Sequence, residues 1–259
     1  MGLETRSLKI IAFSLLFTLS TAVHGFTTFG SRAWDVGPNT TRNINTVGPG
    51  GATWSIIGAG IAADSIPSEE SEHGTGAETT VLGDLNTGLD IAGIINDAFD
   101  LWASVSGFVN LGQVADSGVA FGANESGSAS FGDIRIGAVS FDGPSGVLAH
   151  AYSIGSSASI NGDIHIDNQE NWTTGFDLAT VLLHEIGHSL GLGHSNATES
   201  VLRPFYEGPN FALSDDDIAG IQSIYGPAAV VPLPAAPLLF LSALGLIGFA
   251  RRKRTTVTS

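Results

Sequence analysis

HEIGHSLGLGHS, residues 184–195, holds three of the seven histidines of the chain together with one glutamate. On a helix, His184 and His188 are four residues apart, so their imidazoles share one face and can bind the same metal ion. Glu185 lies about 100° around the helix axis from His184. At that angle its carboxylate can reach a water molecule on the ion rather than bind the ion itself.

The third histidine requires a turn, because a continuous helix would carry His194 away from the other two. Gly191 can adopt a left-handed conformation that ends the helix, and Gly193 adds freedom to the chain that follows. Three neutral imidazoles then leave a fourth position open to water, which is the arrangement of a catalytic zinc site. Zinc lowers the pKa of such a water towards about 7, and Glu185 can act as its general base.

The full spacing HExxHxxGxxH is more specific than HExxH alone, because a glycine and a third ligand stand at fixed offsets. Exposed histidines on a surface helix are the alternative interpretation, and they do not explain the glycine. The flanking helix also has an apolar face to bury, formed by Leu178, Leu182, Ile186 and Leu190.

The charge of the chain is strongly negative, with a formal net value of −15. Residues 26–250 contain 24 acidic and 4 basic residues, a net of −20. Such a surface would repel nucleic acid, so we expect no nucleic-acid partner. The excess carboxylates suit calcium binding or solubility. The chain has no cysteine, which excludes disulfides and thiolate ligands.

Both ends of the chain are apolar. Residues 1–25 are typical of a secretory signal peptide, with two early basic residues, the apolar run IIAFSLLFTL and plausible cleavage after Ala22 or Gly25. A buried N-terminal helix is the alternative. Residues 227–250 carry no charge and are long enough to cross a bilayer. Four basic residues follow them, which predicts that the domain lies on the outer side of the membrane.

The tail, residues 227–259, resembles a bacterial PEP-CTERM sorting signal in its order of VPLP turn, apolar span and basic cluster. Leu233 stands where the usual motif has glutamate. The resemblance implies an exosortase-type partner and removal of the tail. It also implies a location in the outer envelope, at the cell surface or in the extracellular matrix of a Gram-negative bacterium, with a transient or retained inner-membrane anchor. A plain membrane anchor or a buried hairpin are the alternatives.

The middle of the chain predicts an α+β domain over residues 51–226, preceded by a polar, loosely ordered lead-in over residues 26–50. Apolar residues at helical spacing predict a helix within residues 87–105, and Trp102 belongs to its buried stripe. Further helices are predicted near residues 175–190 and from Ser214, whose hydroxyl suits an N-cap. Strands are predicted in GATWSIIGAGIAA, GFVNLGQV, GDIRIGAVSF, GVLAHAYS and GDIHIDN.

Several stretches in residues 50–226 resemble the matrixins, the matrix-metalloproteinase branch of the metzincin peptidases. The resemblance implies a twisted mixed sheet of about five strands with three helices, a zinc cleft below the sheet edge, and zinc endopeptidase activity on protein or peptide substrates. Besides the histidine motif, the similar stretches are AFDLWASVSGFVNL, FDGPSGVLAHAY, GDIHIDNQENWT and LSDDDIAGIQSIYG.

The resemblance also assigns roles outside the zinc motif. Leu202 stands where the family has a methionine in a turn beneath the zinc, and the two side chains are similar in volume. Pro204 and Tyr206 resemble residues that line the substrate pocket. His150 and His165 fall on two of four ligand positions of a structural zinc. The other two positions hold Arg135 and Gly137, which cannot bind zinc, so we expect that site to be absent or altered.

A calcium site is implied as well, since oxygen ligands on loops are what calcium requires. Asp163 resembles a ligand of a further calcium ion. The main site would use the carboxylates of Asp142, Asp167 and Glu170 with the backbone carbonyls of Gly143, Ser145 and Val147.

Three functions are compatible with these residues. The first is an exported zinc endopeptidase. The second is a non-catalytic, calcium-stabilised surface or matrix protein, suggested by Leu202 and the incomplete second zinc site, although a binding protein has no need of Glu185. The third is a zinc hydrolase acting on a bond other than a peptide, which zinc ligands alone do not exclude.

Overall fold

The computed structural model describes residues 25–30, 32–34, 44–46, 48–62, 78–85, 87–120, 131–152, 154 and 160–229. The predicted signal peptide, apart from Gly25, and the predicted sorting tail, apart from residues 227–229, lie outside these residues. Among the described residues, no helix is both long enough and apolar enough to span a bilayer.

Nine strands and three α-helices form in the part of the chain that is described. A short 3-10 helix, Leu82–Leu85, precedes the first α-helix. The helices are α1 (Ile91–Ser104), α2 (Leu178–Ser189) and α3 (Asp215–Tyr225). The strands are β1 (Thr27–Thr28), β2 (Arg32–Trp34), β3 (Ile44–Thr46), β4 (Gly50–Ile56), β5 (Phe108–Gln113), β6 (Ile134–Val139), β7 (Ala149–Ala151), β8 (Ile164–Asp167) and β9 (Leu192–Gly193).

Five of the strands form one mixed sheet in the order β5-β4-β6-β8-β7. The first four are parallel to their neighbours, and β7 pairs antiparallel with β8. Every residue of β6 and β8 is buried, as expected for inner strands covered on both faces. The α+β class, the five-stranded mixed sheet and the three helices predicted from the sequence are confirmed.

Helix α1 packs against α2. It begins at Asp90, whose side chain accepts a hydrogen bond from the backbone of Gly93. Trp102 is fully buried, and its Nε1 donates to the backbone oxygen of Leu183 in α2 at 3.1 Å. Trp102 is therefore a core residue, as its position in the apolar stripe predicted.

The helix that carries the first two histidines and the helix that follows the motif both begin with side-chain caps. Asp177 accepts a hydrogen bond from Thr180 N at the start of α2. Ser214 and Asp217 form a reciprocal capping box at the start of α3, so the predicted N-cap at Ser214 is confirmed. These caps satisfy backbone donors that the first turn of a helix would otherwise leave unpaired.

The described residues of the predicted lead-in are not loosely ordered. Strands β2 and β3 pair with each other, and β1 pairs antiparallel with β9. Trp34 is 1% exposed, and its Nε1 donates to Ser189 O at 2.8 Å. Its backbone nitrogen donates to the hydroxyl of Tyr225 at 3.3 Å. For these described residues, the prediction of a loosely ordered lead-in is wrong. The single tryptophan supplies enough apolar surface to fix them against the core although the surrounding sequence is polar.

Replacing Trp34 by alanine should test whether this segment belongs to the core. We expect Trp34→Ala to lower the free energy of unfolding by about 3–5 kcal/mol, because it removes a buried ring and leaves a cavity. Trp34→Phe should cost less, since it keeps most of the apolar area and loses the hydrogen bond to Ser189. Urea denaturation measures both values, and an unchanged midpoint for Trp34→Ala would contradict the packing.

Candidate metal centre

Three imidazoles converge at one point on the surface of α2. One ring nitrogen from each of His184, His188 and His194 lies within 4.8 Å of the other two. The ring centroids are 4.5 Å apart for His184 and His188, 5.4 Å for His184 and His194, and 4.8 Å for His188 and His194. Among the described residues, this is the one group of histidine, aspartate and glutamate side chains close enough to hold a metal ion.

The turn that returns His194 to this point is made at two glycines. Gly191 has a φ of 105°, a left-handed conformation that ends the helix, as the sequence predicted. Gly193 has no left-handed backbone; instead, a side chain there would collide with the hydroxyl of Thr27 on β1. Gly193 is therefore needed for the close approach of β1 rather than for conformational freedom.

Hydrogen bonds to backbone carbonyls orient two of the rings. His184 Nδ1 lies 2.8 Å from Val201 O, and His188 Nδ1 lies 2.8 Å from Leu192 O. A carbonyl can only accept, so each Nδ1 carries the proton and donates it. Each Nε2 is then unprotonated and available to a metal ion, and a carbonyl that accepts from the other ring nitrogen commonly orients zinc-binding histidines in this way.

The three imidazoles are neutral at pH 7. The pKa of His184 is lowered to about 4 and that of His188 to about 3, mainly by burial and in smaller part by neighbouring histidines. Burial also lowers the pKa of His194. Metal binding requires unprotonated imidazole, so the cluster meets that requirement without first losing protons.

Glu185 adds a carboxylate that no described residue neutralises. Its side chain is 5% exposed, and Oε2 is buried without a hydrogen-bond partner. Burial raises the pKa of Glu185 to about 8, so without a cation this side chain is a neutral carboxylic acid at pH 7, and a positive charge beside it would restore the carboxylate. A buried carboxylate costs free energy unless a positive charge or a donor lies beside it. The donor set of three imidazoles and one unpartnered carboxylate therefore fits a divalent cation and its bound water.

A second group of acidic side chains lies between β6, β7 and β8. Val147 N donates to the carboxylate of Asp142 at 3.1 Å, and Gly146 N donates to Glu170 Oε1 at 3.0 Å. Asp167 is buried, and its Oδ2 has no hydrogen-bond partner. Ser145 has a left-handed φ of 69°, which bends this loop.

The charges in this loop repel one another. Burial raises the pKa of Asp167, and the charges of Glu170 and Asp142 raise it further, against hydrogen bonds from Gln169 and Phe141 that lower it. A bound cation would favour the ionised form of all three carboxylates. The three acidic residues are therefore neighbours in one loop pair, but their oxygens do not reach the 4.8 Å spacing of the histidine cluster, so a calcium ion here would need backbone carbonyls as further ligands.

Comparison with known proteins identifies the fold. The Matrixin (peptidase M10) profile matches residues 84–226, more than half of the chain. The chain belongs to the matrixin family. The chain is 43% identical over 149 residues to the hatching enzyme of Paracentrotus lividus, a match that covers 55% of this chain and 24% of that protein.

Two human matrixins give similar matches. Matrix metalloproteinase-16 is 49% identical over 107 residues, which cover 38% of this chain and 17% of that protein. Neutrophil collagenase is 40% identical over 152 residues, which cover 55% of this chain and 30% of that protein. The chain thus spans less than a third of the length of these relatives. Members of the matrixin family are zinc metalloendopeptidases that also use calcium.

Leu202, which the resemblance places at the methionine position, packs against the helix that carries His184 and His188. It is fully buried, and its side chain packs with the ring of Trp102 against the backbone of Gly187 in α2. Leu202 O accepts a hydrogen bond from Ser195 N at 2.9 Å, next to His194. The turn at Leu202 is therefore joined to the residue after the third histidine by a backbone hydrogen bond, which does not depend on whether residue 202 is leucine or methionine.

The two residues that resemble the matrixin pocket lie on the segment after this turn. The hydroxyl of Tyr206 accepts a hydrogen bond from Asp177 N at 3.0 Å, and its ring packs edge-on against Phe176 at 5.3 Å. Pro204 is exposed. These contacts hold the segment against the beginning of α2, about two turns before His184.

The positions of a second matrixin zinc are arranged differently. His150 Nε2 lies 3.2 Å from His165 Nδ1 across the β7–β8 pair, and Gly137 pairs with His165 in the sheet. Arg135 is buried and forms two 2.8 Å bonds with the carboxylate of Asp116. An ion pair therefore occupies the position where the family has a ligand.

Asp116 and Asp163 complete this region. Burial alone would raise the pKa of Asp116, but hydrogen bonds from Arg135 and Gly118 and the guanidinium charge of Arg135 bring it below its ordinary value. Asp163 Oδ1 accepts a hydrogen bond from Arg135 N at 3.0 Å. Asp163 is fully buried and directly precedes β8, whereas Asp167 is the last residue of that strand.

Sequence reasoning missed several residues that support the metal centre. Asp216 accepts a hydrogen bond from Ser195 Oγ at 2.6 Å, and Asp217 Oδ2 accepts one from Val201 N at 3.0 Å. Thr27 donates to His194 O at 2.8 Å. The acidic run at the start of α3 was interpreted only as a cap, and the contact partners lie too far along the chain for a local pattern to reveal them.

Truncating Leu202 should test the platform beneath the metal centre. We expect Leu202→Ala to lower the free energy of unfolding by about 2–5 kcal/mol, because it opens a cavity next to α2. Leu202→Met, the family residue, should cost less than about 1.5 kcal/mol, because the volume is conserved. Thermal and urea denaturation measure both changes. Equal losses for the two variants would show that volume at this position does not matter.

Proposed function

We propose that this chain is a zinc-dependent endopeptidase. His184, His188 and His194 hold the metal ion, and Glu185 is the general base. The observation that carries the proposal is the convergence of three imidazole nitrogens within 4.8 Å, in neutral form, on the helix that also carries a buried and unpartnered carboxylate. Metal-assisted hydrolysis of a peptide bond uses these two features together, the ion to activate the water and the carboxylate to accept its proton.

Zinc, when bound, polarises the carbonyl of the substrate and lowers the pKa of the attacking water. Glu185 accepts the proton that this water loses as its oxygen bonds to the carbonyl carbon. Glu185 then donates the same proton to the amine nitrogen as the carbon–nitrogen bond breaks. The carbonyls of Val201 and Leu192 keep the first two imidazoles in one tautomer and orientation throughout.

A protein substrate in extended conformation suits the edge of the sheet. Strand β7 is the last strand of the sheet and contacts α2, which carries the histidines. Its free edge can accept an extended peptide by backbone hydrogen bonding, a common mode of peptide recognition. The names collagenase, metalloproteinase and hatching enzyme among the relatives support a protein substrate for this chain. Pro204 and Tyr206 then line the pocket for the substrate side chain after the cleaved bond.

Calcium binds, in this proposal, at the acidic loop pair. The carboxylates of Asp142, Asp167 and Glu170 supply its ligands, together with backbone carbonyls of Gly143, Ser145 and Val147. The buried, unpartnered Oδ2 of Asp167 and the raised pKa of this carboxyl support the assignment. The ion would offset the mutual repulsion of the three carboxylates and stiffen the loop before β7.

The protein is exported and works outside the cytoplasm. The basic and apolar pattern of residues 1–25 supports export, and the order of turn, apolar span and basic cluster in residues 227–259 supports sorting to a Gram-negative envelope by an exosortase-type partner. This tail anchors the chain in the inner membrane until it is processed.

A non-catalytic protein that keeps the matrixin fold for calcium-stabilised surface binding is the second candidate. The replacement of the family methionine by Leu202, and of a second-zinc ligand by Arg135, favours it. The buried Glu185 opposes it, because an unpartnered buried carboxylate lowers stability and is retained only where it has a use.

The role of Glu185 is tested with the full chain and casein as substrate. We expect Glu185→Gln to reduce hydrolysis by about 10²–10⁴-fold, because the amide cannot accept the proton of the water. Zinc content should remain one ion per chain, because Glu185 is not a ligand. Glu199→Gln, an exposed glutamate on the loop after His194, is the matched control and should keep full activity.

Two results decide between the candidates. Full activity in Glu185→Gln would remove this residue from the mechanism. A wild-type chain that binds one zinc ion but cleaves no casein would favour the non-catalytic protein.

The calcium site is tested by thermal denaturation with and without a calcium chelator. At calcium about 100-fold above its dissociation constant, we expect the melting temperature of the wild type to rise by about 5–10 °C. Asp167→Asn should abolish this rise. Without calcium the variant should melt no lower than the wild type, because the amide keeps the oxygen that accepts two backbone bonds and carries no charge to bury. A full calcium response in Asp167→Asn would exclude Asp167 as a ligand.

A further inference from the structure

The strand β1 runs alongside the loop that carries the third histidine. Thr27 pairs with Gly193, and Thr28 pairs with Leu192, in antiparallel register. The hydroxyl of Thr27 donates to the backbone oxygen of His194 at 2.8 Å. This contact could not be predicted from the local sequence of residues 26–29 or of residues 184–195, because 167 positions separate its two partners.

The histidine that this strand contacts is the least supported of the three. His194 is exposed, and it lies on a loop after a strand of two residues rather than on a helix. Within the described chain, the rings of His184 and His188 are each fixed by a carbonyl, and no hydrogen bond reaches the ring of His194. The position of this imidazole therefore depends on the backbone that carries it.

Backbone and side-chain contacts from β1 fix that backbone on one side. Phe29 N donates to Gly191 O at 2.9 Å, where the loop begins. The ring of Phe29 lies 5.7 Å from the ring of His188, at an angle of 56°. The backbone of Gly193 lies so close to Thr27 Oγ1 that a side chain at Gly193 would collide with it. On its other side, the loop is held by Ser195 N and Leu202 O.

Both ends of the segment that contains β1 are anchored in the body of the domain. Gly25 N donates to Asp216 Oδ1 at 2.6 Å, and the same carboxylate accepts from Ser195 Oγ through its other oxygen. Trp34, at the far end, is buried in the core. A strand fixed at both ends can restrain a neighbouring loop, whereas a strand with a free end would move with it.

We propose that β1 is a positioning strand for the third zinc ligand, and that Thr27 is its central positioning residue. The inference rests on the proposed zinc site and adds to it a contribution from outside the motif. With the hydroxyl of Thr27 in place, the loop already holds His194 near the other two imidazoles before the metal binds. Without this hydroxyl, the loop samples other conformations. The measured zinc affinity then falls in proportion to the fraction of chains whose loop is in the binding conformation.

Zinc affinity of the full chain, measured after metal removal by competition with a chromogenic chelator, tests the proposal. Thr27→Val keeps the shape of the side chain and removes the hydroxyl. We expect its zinc dissociation constant to rise about fivefold, the effect of one lost hydrogen bond in the binding conformation. Thr27→Ser keeps the hydroxyl and should restore affinity to within about twofold of the wild type.

Thr28→Val is the matched control. Thr28 is the neighbouring strand residue, equally exposed, with the same β-branched side chain and no side-chain hydrogen bond in the described structure. Its zinc affinity should equal that of the wild type. The melting temperatures of all three metal-free variants should also equal that of the metal-free wild type, because the exposed Thr27 side chain contributes little to the core. A role in folding alone would instead lower the melting temperature of Thr27→Val without metal.

Three outcomes would overturn the inference. Equal zinc affinities of the wild type and Thr27→Val would remove the role of Thr27 while leaving the zinc site intact. An equal loss in Thr28→Val would show that strand composition, and not the hydroxyl, sets the affinity. A wild-type chain that binds no zinc would overturn the proposed function and this inference together, and that result is distinct from the first two.

Discussion

The burial of Glu185 is the constraint on which the rest of the site depends. A carboxyl group that is 5% exposed, with one oxygen unpartnered, takes up a proton at pH 7 unless a positive charge lies near it, so Glu185 can act as a base only beside a cation. Three neutral imidazoles supply the place for such a charge without carrying one themselves. The helix presents two of them at the spacing of one turn, and the left-handed turn at Gly191 returns the third. The same three imidazoles therefore serve two purposes. A cation that they hold stabilises the carboxylate of Glu185, and it binds the reacting water next to that carboxylate.

The start of α3 provides most of the support for this arrangement. Asp217 completes the capping box of its own helix and also accepts hydrogen bonds from Ser200 Oγ and Val201 N. Val201 in turn offers its oxygen to His184. Asp216 contacts Ser195, the residue after the third ligand. Two adjacent carboxylates thus hold both loops that flank the metal centre, so the ligands are positioned before metal binds and less conformational freedom is lost on binding.

Local patterns predicted much of this molecule from the sequence, and long-range contacts explain what they did not. The spacing of four residues fixes the relative direction of His184 and His188 on any α-helix, and glycine at position 191 permits the turn, so both were predictable. The position of Leu202 followed from family resemblance alone. Three contacts join residues that are far apart in sequence: the packing of Trp34, the pairing of β1 with β9 and the ion pair of Arg135. A periodic pattern within a short stretch of sequence cannot predict such contacts. The polar composition of residues 26–50 pointed to a loose segment because an average over 25 residues conceals one tryptophan.

Arg135, on β6, forms a buried ion pair that joins the sheet to the segment containing Asp116. At a position where the resemblance would place an imidazole on a second zinc, a guanidinium forms two bonds with Asp116, and both side chains are almost fully buried. Removing water from two charges is costly, but once both are buried the removal of either one costs more, because the other is left unpaired. The pair therefore fixes the segment that contains Asp116 against β6 without a metal ion, a task a bound zinc would otherwise perform. The proposed metal sites then lie at the histidines and at the acidic loop pair, where Asp167 is unpartnered on one oxygen.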